Sequence, residues 1–192
     1  MHHIYHTEGI ILGSKNFGET GKYYAIFTRD LGMIYASAQG VRKMSSKLRF
    51  TLQDFSYLKI DLVRGRDFWR ITSASKTNKL EGLYSPHILE TFANISKLLK
   101  RLLAGEDPNE SLFSDFLNGL FALEKAKDEN ELRSIETIIV LRILNNLGYI
   151  GGGELLEDFV RSPFEEDLIF KASRNRTKIL KEVNKALKET HL

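Results

Sequence analysis

The chain has 192 residues, of which 42% are hydrophobic and none is cysteine. This length allows one or two small domains with apolar cores, and the composition excludes an intrinsically disordered chain. The absence of cysteine excludes disulfides and thiolate metal sites, and it fits a reducing compartment. The 28 lysines and arginines exceed the 25 aspartates and glutamates by only three.

The charge is distributed unevenly along this nearly neutral chain. Residues 1–80 contain 13 basic and 6 acidic residues, residues 81–170 contain 8 and 17, and residues 171–192 contain 7 and 2. Such asymmetry indicates a front domain that binds a polyanion. The alternative is that the charge blocks only keep the protein soluble.

Up to about residue 79 the apolar residues follow the two-residue period of β-strands. Five strands are predicted, with a polar turn region at 13–21: residues 4–12, 22–28, 33–39, 50–63 and 67–75. Five closely spaced strands in about 80 residues indicate a small barrel or sandwich of the size of an OB-fold. An SH3-like barrel fits the pattern almost as well.

After Leu80 the period changes to that of helices. Pro86 follows a capping serine and predicts a first helix, which Gly105 ends. A second helix opens at Asp107-Pro108, and a third, apolar nearly all round, spans 131–147 with Asn130 as a possible cap. Glycines 151–153 indicate a flexible connection, an irregular acidic stretch starts at residue 163, and a last helix is expected over 175–190.

These patterns predict an α+β protein in two parts. A five-stranded barrel occupies residues 1–80, and its cations suit a polyanion. An all-α helical domain occupies residues 81–192.

The segment at 40–49, GVRKMSSKLR, is the most informative part of the chain. We call it the cationic loop, because it carries Arg42, Lys43, Lys47 and Arg49 and no acidic residue. Its guanidinium, ammonium, hydroxyl and backbone N–H groups suit a polyanion. A solvated loop of a basic protein is the alternative, since short basic segments are a weak motif.

Other cations of the predicted barrel come from loops and strand ends, which gather along one rim of a barrel. With the cationic loop they complete the predicted nucleic-acid-binding set: Arg42, Lys43, Lys47, Arg49, Lys22, Arg64, Arg66 and Arg70, with Lys15 nearby. Exposed aromatic side chains would add base stacking. Of eight candidates, five or six are expected in the core and two or three outside: Tyr23, Tyr24, Tyr35, Phe50, Phe55, Tyr57, Phe68 and Trp69.

The last predicted helix offers a second candidate surface. Its lysines share one face beside an apolar stripe of Ile179, Leu180, Val183 and Leu187: Lys178, Lys181, Lys185 and Lys188. A groove with an apolar floor and a cationic lip would suit an acidic, aromatic peptide tail. An ordinary amphipathic closing helix is the alternative.

No catalytic motif is recognisable. Residues 18–22 lack the spacing of a phosphate-binding loop, and the zinc-protease and nucleophile-elbow patterns are absent. The chain is therefore expected to be non-enzymatic, with no cofactor and no metal, although His2, His3 and His6 lie close together in sequence. The start shows no apolar signal segment, and a cytoplasmic location away from membranes is expected.

Several motifs follow the order and spacing of the RecO family of bacterial recombination mediators. They are GIIL at 9–12, FGET at 17–20, FT at 27–28, Gly32, AQGVRK at 38–43, Ser46, LQDFS at 52–56 and RILNNLGY at 142–149. The chain resembles this family over most of its length, most specifically in its front half.

The resemblance implies an N-terminal five-stranded OB-fold barrel over residues 1–80 as the DNA-binding domain, followed by an all-α, partner-binding domain over residues 81–192, with no covalent chemistry. It also implies a nucleoid-associated location. It implies binding to single- and double-stranded DNA, annealing of complementary strands, and contact with the acidic tail of single-strand-binding protein. With RecR, such proteins help RecA load onto coated DNA. Arg42 and Lys43 would then lie in the DNA-contacting loop, and Gly18 and Glu19 in a structural turn.

The chain departs from the family pattern in one respect. Many members carry four cysteines after the Leu-Gly-Tyr motif, where this chain has glycines and an acidic segment. A structural zinc site of that kind is excluded. An RNA-binding module and a non-catalytic protein adaptor are the alternative functions.

Overall fold

The computed structural model describes residues 3–77, 80, 85–103, 105–151 and 153–189, with only the backbone at 154 and 155. The chain forms two compact units: Met1–Glu81 with Ser96–Glu110, and Gly82–Ile95 with Ser111–Leu192. The predicted domain boundary after residue 80 falls beside residues 78, 79 and 81–84, which lie outside the described part. That boundary stays a prediction.

Five strands form a closed barrel in the first unit. They are β1 (Ile4–Phe17), β2 (Gly21–Thr28), β3 (Gly32–Ala38), β4 (Tyr57–Arg64) and β5 (Trp69–Lys76). The strand order around the barrel is β1-β2-β3-β5-β4, and only the β3–β5 pair is parallel. The predicted α+β architecture with an OB-type barrel followed by helices is confirmed.

Strand alternation fills the barrel with apolar side chains, including Tyr24, Ile26, Ala36 and Ile60. Burial, with a smaller contribution from the Asp54 carboxylate, raises the pKa of Tyr24 to about 12. The phenol of this side chain therefore stays neutral throughout the physiological range. Leu52 closes the core from the β3–β4 connection.

Two strand boundaries were predicted wrongly. Strand β1 continues to Phe17, past a bulge at Gly13, where the polar residues had indicated a turn over 13–21. The reason is that the outer wall of a barrel faces solvent and accepts polar side chains, while the backbone still pairs with β2. The stretch 50–56 is not a strand, because a short helix α1 (Leu48–Thr51) and a turn precede β4.

The remaining helices are α2 (Pro86–Leu102), α3 (Glu110–Glu124), α4 (Glu129–Asn146), α5 (Glu154–Arg161) and α6 (Glu166–Glu189). The predicted start of α2 at Pro86 is confirmed, and its apolar stripe is buried: Ile88, Phe92, Ile95, Leu99 and Leu102. Among the helices described, none combines the length and apolarity needed to span a bilayer.

Three features of the later helices differ from the prediction. Asp128, not Asn130, caps α4, since its carboxylate accepts a hydrogen bond from the Glu131 N–H at 2.8 Å. Helix α5 was not predicted, and most of the stretch from residue 163 that was expected to be irregular belongs to α6, which begins nine residues before residue 175. Glu166 and Asp167 favour that earlier start, because carboxylates offset the positive end of the helix dipole.

A buried arginine on α4 holds the α5–α6 connection. Arg142 is 4% exposed, and its guanidinium donates to the carbonyls of Phe159, at 2.9 Å, and Ser162. It also lies 3.4 Å from the Asp115 carboxylate and stacks on the Phe164 ring, 4.3 Å from its centroid. Burial lowers the pKa of Arg142, which the Asp115 carboxylate counteracts. One side chain thus joins α3, α4, α5 and the connection that leads to α6.

We predict that Arg142→Ala lowers the free energy of unfolding by about 3 kcal/mol, because it removes the donor of two carbonyls and the cationic partner of the Asp115 carboxylate. Urea unfolding followed by circular dichroism measures this loss. Arg133→Ala removes an exposed ion pair with Glu129 on the same helix and is the matched control, with an expected change below about 0.5 kcal/mol. Equal losses in the two variants would contradict the assigned role.

Candidate nucleic-acid interface

Four polar or aromatic side chains form a row across the outer wall of the barrel. Lys15 pairs in register with Tyr23, Tyr23 with Ser37, and Ser37 with Arg70. Paired residues share one face of a sheet, and their strand neighbours, Tyr24 and Ala36 among them, point into the core. The row therefore faces outward, and it spans about 14 Å over three strand spacings.

Three aromatic rings lie side by side along this row. Phe17 and Phe68 flank Tyr23, with ring centroids 4.5 Å and 5.0 Å from the tyrosine centroid. Phe17 is 48% exposed and Phe68 is 46% exposed. We call Phe17, Tyr23 and Phe68 the aromatic cluster. The rings of Phe17 and Phe68 are tilted by 47° and 46° to that of Tyr23, and the cluster offers apolar surface to solvent.

Two glycines permit this arrangement. A Cβ on Gly21 would lie 3.0 Å from the Phe17 carbonyl and 3.5 Å from the Phe17 ring, which packs over the bare backbone. A Cβ on Gly65 would lie only 2.3 Å from the carbonyl oxygen of Phe68. The Gly65 N–H donates to that same carbonyl at 3.1 Å. The tight β4–β5 turn thus holds Phe68 beside Tyr23.

An open pocket of about 380 Å³ adjoins the aromatic cluster, and we call it the arginine pocket. Its lining consists of Ser37, Arg64, Gly65, Arg66, Asp67, Phe68 and Arg70. Arg66 and Arg70 are exposed, and neither forms an ion pair within the described part of the chain. Their charges are therefore available to an anion.

Arg64 differs from the other two arginines of the pocket. Its guanidinium forms an ion pair with Glu106 and stacks on the Trp69 ring, 4.8 Å from the centroid. The same Glu106 carboxylate accepts a hydrogen bond from the Trp69 indole N–H at 3.0 Å. Most of the Arg64 charge is thus balanced within the barrel unit.

The cationic loop is tied to the β1–β2 turn. The backbone N–H of Arg42 donates to the Thr20 carbonyl at 2.9 Å, and its guanidinium lies 3.4 Å from the Gly18 carbonyl. Lys43 and Lys47 are exposed and lack an ion pair among the described residues. Arg49 instead packs against Met44 and the Phe50 ring.

The structure brings the predicted cations into two groups, the arginine pocket and the cationic loop. Lys22 does not line the arginine pocket, and it pairs in register with Ala38, just before the cationic loop. Lys22 shares its strand face with Tyr24, and its ammonium group lies 3.4 Å from the Ser14 hydroxyl. It therefore points away from the aromatic cluster. The binding role of every cation in the set stays a prediction.

Of the eight aromatic candidates three are exposed, Tyr35, Phe50 and Phe68, which agrees with the expected two or three. Only Tyr24, Tyr57 and Trp69 are buried, and Tyr23 and Phe55 are half-buried, so fewer rings lie in the core than the five or six expected. The sequence pattern did not predict Phe17 as an aromatic of the interface, because its segment was assigned to a turn. The alternation of Lys15 and Phe17 beyond Gly13 was the available signal for a continuing strand.

On α6 the four predicted lysines are all exposed, at 178, 181, 185 and 188. Of the expected apolar floor, Ile179 and Val183 are buried in the helical unit, whereas Leu180 and Leu187 are half-buried. The peptide-binding role of this face stays a prediction. An open pocket of about 400 Å³ is lined by Glu182 and Lys185 of α6 together with Tyr149, Ile150, Gly151, Gly153 and Leu156.

Metal ligands do not gather in the described residues, where no three His, Cys, Asp or Glu side chains are grouped to hold an ion. The ring of His6 bonds the Asp61 carboxylate at 2.6 Å. His2 lies outside the described part.

A closed OB-type barrel with exposed rings and available arginines on its outer wall is typical of the class of barrels that bind single-stranded nucleic acid. Comparison with known proteins agrees with this architecture. Residues 1–79 match the family model described as Recombination protein O N terminal, and residues 91–150 match Recombination protein O C terminal. The chain belongs to the RecO family.

Curated relatives carry the name DNA repair protein RecO. The protein from Desulfitobacterium hafniense strain DCB-2 is 26% identical over 147 residues, which are 76% of this chain and 52% of the relative. That from Rubrobacter xylanophilus is 30% identical over 126 residues, 65% of this chain and 50% of the relative. The chain thus spans about half the length of the curated relatives it matches.

We predict that Gly65→Ala lowers the free energy of unfolding by about 1–3 kcal/mol, because the added methyl group collides with the Phe68 carbonyl and forces the turn to shift. Chemical denaturation measures the change. Gly151→Ala is the control, since a Cβ there meets open space and the expected change is within about 0.5 kcal/mol. A Gly65→Ala variant as stable as the parent would show that the turn is not tightly constrained.

Proposed function

We propose that this chain is a DNA-binding recombination mediator in DNA repair, which binds single- and double-stranded DNA and anneals complementary strands. The observation that carries the proposal is the joint presence of Arg66, Arg70 and the aromatic cluster on one wall of an OB-type barrel. Membership of the RecO family, whose curated members are named for DNA repair, supports it.

Annealing by such a protein needs no catalytic centre. Cations that neutralise phosphates reduce the repulsion between two strands. A protein that holds both strands also raises their effective concentration, which accelerates pairing. The cationic loop and the arginine pocket provide separate groups of cations for this purpose, and the chain is proposed to be non-enzymatic.

We extend the proposal to the partners implied by the family resemblance. The chain would help to load RecA onto DNA coated by single-strand-binding protein, together with RecR. Its exposed α6 lysines support contact with an acidic protein tail, because four cations on one helix face attract a polyanionic peptide. A DNA-bound protein of this kind would associate with the nucleoid.

We predict that Arg42→Ala combined with Lys43→Ala weakens binding to all DNA sequences alike. The slope of log affinity against log salt should become shallower by about 0.7 per lost phosphate contact on single strands and 0.9 on duplex. Fluorescence anisotropy over a salt series measures the slope, and the annealing rate of complementary oligonucleotides should fall in parallel.

The control for this experiment is Lys125→Ala with Arg133→Ala, which removes two exposed cations of the helical unit. Its slope and annealing rate should match those of the parent. If the loop variant also matches the parent, the cationic loop is not part of the interface. If the parent shows no salt-dependent DNA affinity and no annealing, the proposed function is wrong.

We predict that Lys181→Glu with Lys185→Glu weakens binding of an acidic, aromatic tail peptide by at least about tenfold, since each replacement turns attraction into repulsion. Isothermal titration with the peptide measures the affinity. Lys125→Glu with Arg161→Glu changes the net charge by the same amount elsewhere on the helical unit, and should leave the affinity nearly unchanged. Equal weakening in both variants would show that the loss of affinity comes from the change in net charge and not from the α6 lysine face.

A further inference from the structure

We infer that one edge of β1 is a docking site for an extended, acidic segment of a partner protein, which adds to the barrel as an extra strand. The site comprises residues 13–17, which we call the open edge. In the part of the chain that the structure describes, this end of β1 pairs with β2 on one side and with no strand on the other. The ligand is a protein, so the inference goes beyond the proposed DNA binding and does not rest on it.

The open edge exists because β1 is longer than its neighbour β4. Strand β1 has 14 residues and β4 has 8, and β4 pairs with β1 only from Ile4 to Ile10. The turn before β4 reaches one residue further. There the Ile11 N–H donates to the Ser56 carbonyl at 3.0 Å, and the Phe55 N–H donates to the Ile11 carbonyl at 2.9 Å. Beyond Ile11 this side of β1 has no backbone partner among the described residues.

A strained turn ends the pairing at this point. The Ser56 N–H donates to the Gln53 carbonyl at 3.2 Å, so residues 53–56 form a tight turn with Phe55 in its third position. Phe55 has a φ of 69°, the one positive φ of a non-glycine residue in the described part of the chain. A bulky residue in this left-handed region is strained, and such strain is concentrated at functional sites. The turn directs the residues before Phe55 away from β1, which leaves the open edge without a strand partner.

Alternation along β1 shows which backbone groups the open edge presents. Successive residues of a strand direct their N–H and C=O groups to opposite sides, and Ile11 directs both of its groups to the β4 side. The bulge between Ile11 and Gly13 inserts one residue. The groups that point to the β4 side beyond the bulge are therefore those of Ser14 and Asn16. Each offers an N–H and a carbonyl to an added strand, and such main-chain hydrogen bonds provide the affinity in β-augmentation.

Lysines around the open edge select an acidic ligand. Lys15 belongs to the edge and is exposed on the outer wall. The Lys22 ammonium lies 3.4 Å from the Ser14 hydroxyl on the opposite face. The Lys100 ammonium lies 3.4 Å from the position that a Cβ on Gly13 would occupy. None of these lysines forms an ion pair within the described residues, so their charges are available to carboxylates of the added strand.

The same charges disfavour a second copy of the chain as the occupant. Antiparallel pairing of two open edges about their centre places Lys15 opposite the same lysine of the other copy, and like charges directly opposite each other destabilise a sheet. Lysine on an exposed edge strand opposes self-pairing in natural sheets for this reason. At the end of the open edge the Phe17 ring is 48% exposed. The ligand is therefore a short segment with acidic residues near Lys15 and an apolar residue near Phe17.

The first test uses the acetylated and amidated peptide Asp-Thr-Asp-Thr-Phe as the probe. Its addition to the isotope-labelled full chain should shift the NMR amide signals of Ser14 and Asn16 in a saturable way. The peptide Lys-Thr-Lys-Thr-Phe should bind at least about tenfold more weakly, because its charges are repelled. Two further versions of the probe carry N-methyl groups on alternate amides. One of them should lose binding and the other keep it, because only alternate amides of an added strand face its neighbour.

The second test changes the edge itself. Asn16→Pro removes an outward N–H without removing a bond to β2, a position at which edge strands tolerate proline. It should weaken binding of the acidic probe by about fivefold. Asn16→Ala keeps the N–H and should stay within about twofold of the parent. Lys15→Glu should weaken binding by about tenfold, whereas Lys59→Glu, which changes an exposed lysine of β4 by the same charge, should have little effect.

Four outcomes would overturn the inference. They are no saturable shift with the acidic probe, equal binding of the lysine peptide, equal behaviour of the two methylated probes, and equal affinities of Asn16→Pro and Asn16→Ala. Circular dichroism and thermal unfolding check the fold of each variant, and the methylated probes test the edge on the parent chain if Asn16→Pro does not fold. Oligonucleotide binding by the parent is measured separately, so the failure of either proposal is recognised independently of the other.

Discussion

The parallel pairing of β3 with β5 is the constraint on which the barrel and its candidate site depend. Ala36 lies opposite Trp69 and Ser37 opposite Arg70, and this short pairing closes the barrel. The Ser37 hydroxyl donates to the Trp69 carbonyl at 3.3 Å, and the indole packs edge-on against Tyr5. Without this closure the β4–β5 turn would not lie beside β2, and Phe68 would be separated from Tyr23.

Because side chains alternate along each strand, the same strands build both the core and the candidate interface. Tyr24 and Trp69 face inward and build the core, while Tyr23 and Arg70, one residue away, face outward and build the candidate interface. Because the period is two, a register slip of one residue would bury Arg70 and expose Trp69. Stability of the core therefore keeps the outer row in place.

The helical unit is held together by a buried arginine. The guanidinium of Arg142 bridges Asp115 and two backbone carbonyls, so a single cation organises the connection from α5 to α6. Buried cations are costly unless every donor finds an acceptor, which makes this arrangement specific. Arg142 therefore fixes the connection between α5 and α6 without a zinc site, since the sequence contains no cysteine.

The sequence by itself determined the change from strands to helices, the start of α2, the composition of the cationic loop and the lysine face of α6, because period, capping and charge are local properties. Only the tertiary structure decided which side chains meet. Phe17, Tyr23 and Phe68 come from three separate segments, and Glu106 balances the charge of Arg64 from 42 positions away. These contacts depend on barrel closure and strand register. Both arise from packing of the whole unit, so no short stretch of sequence predicts them.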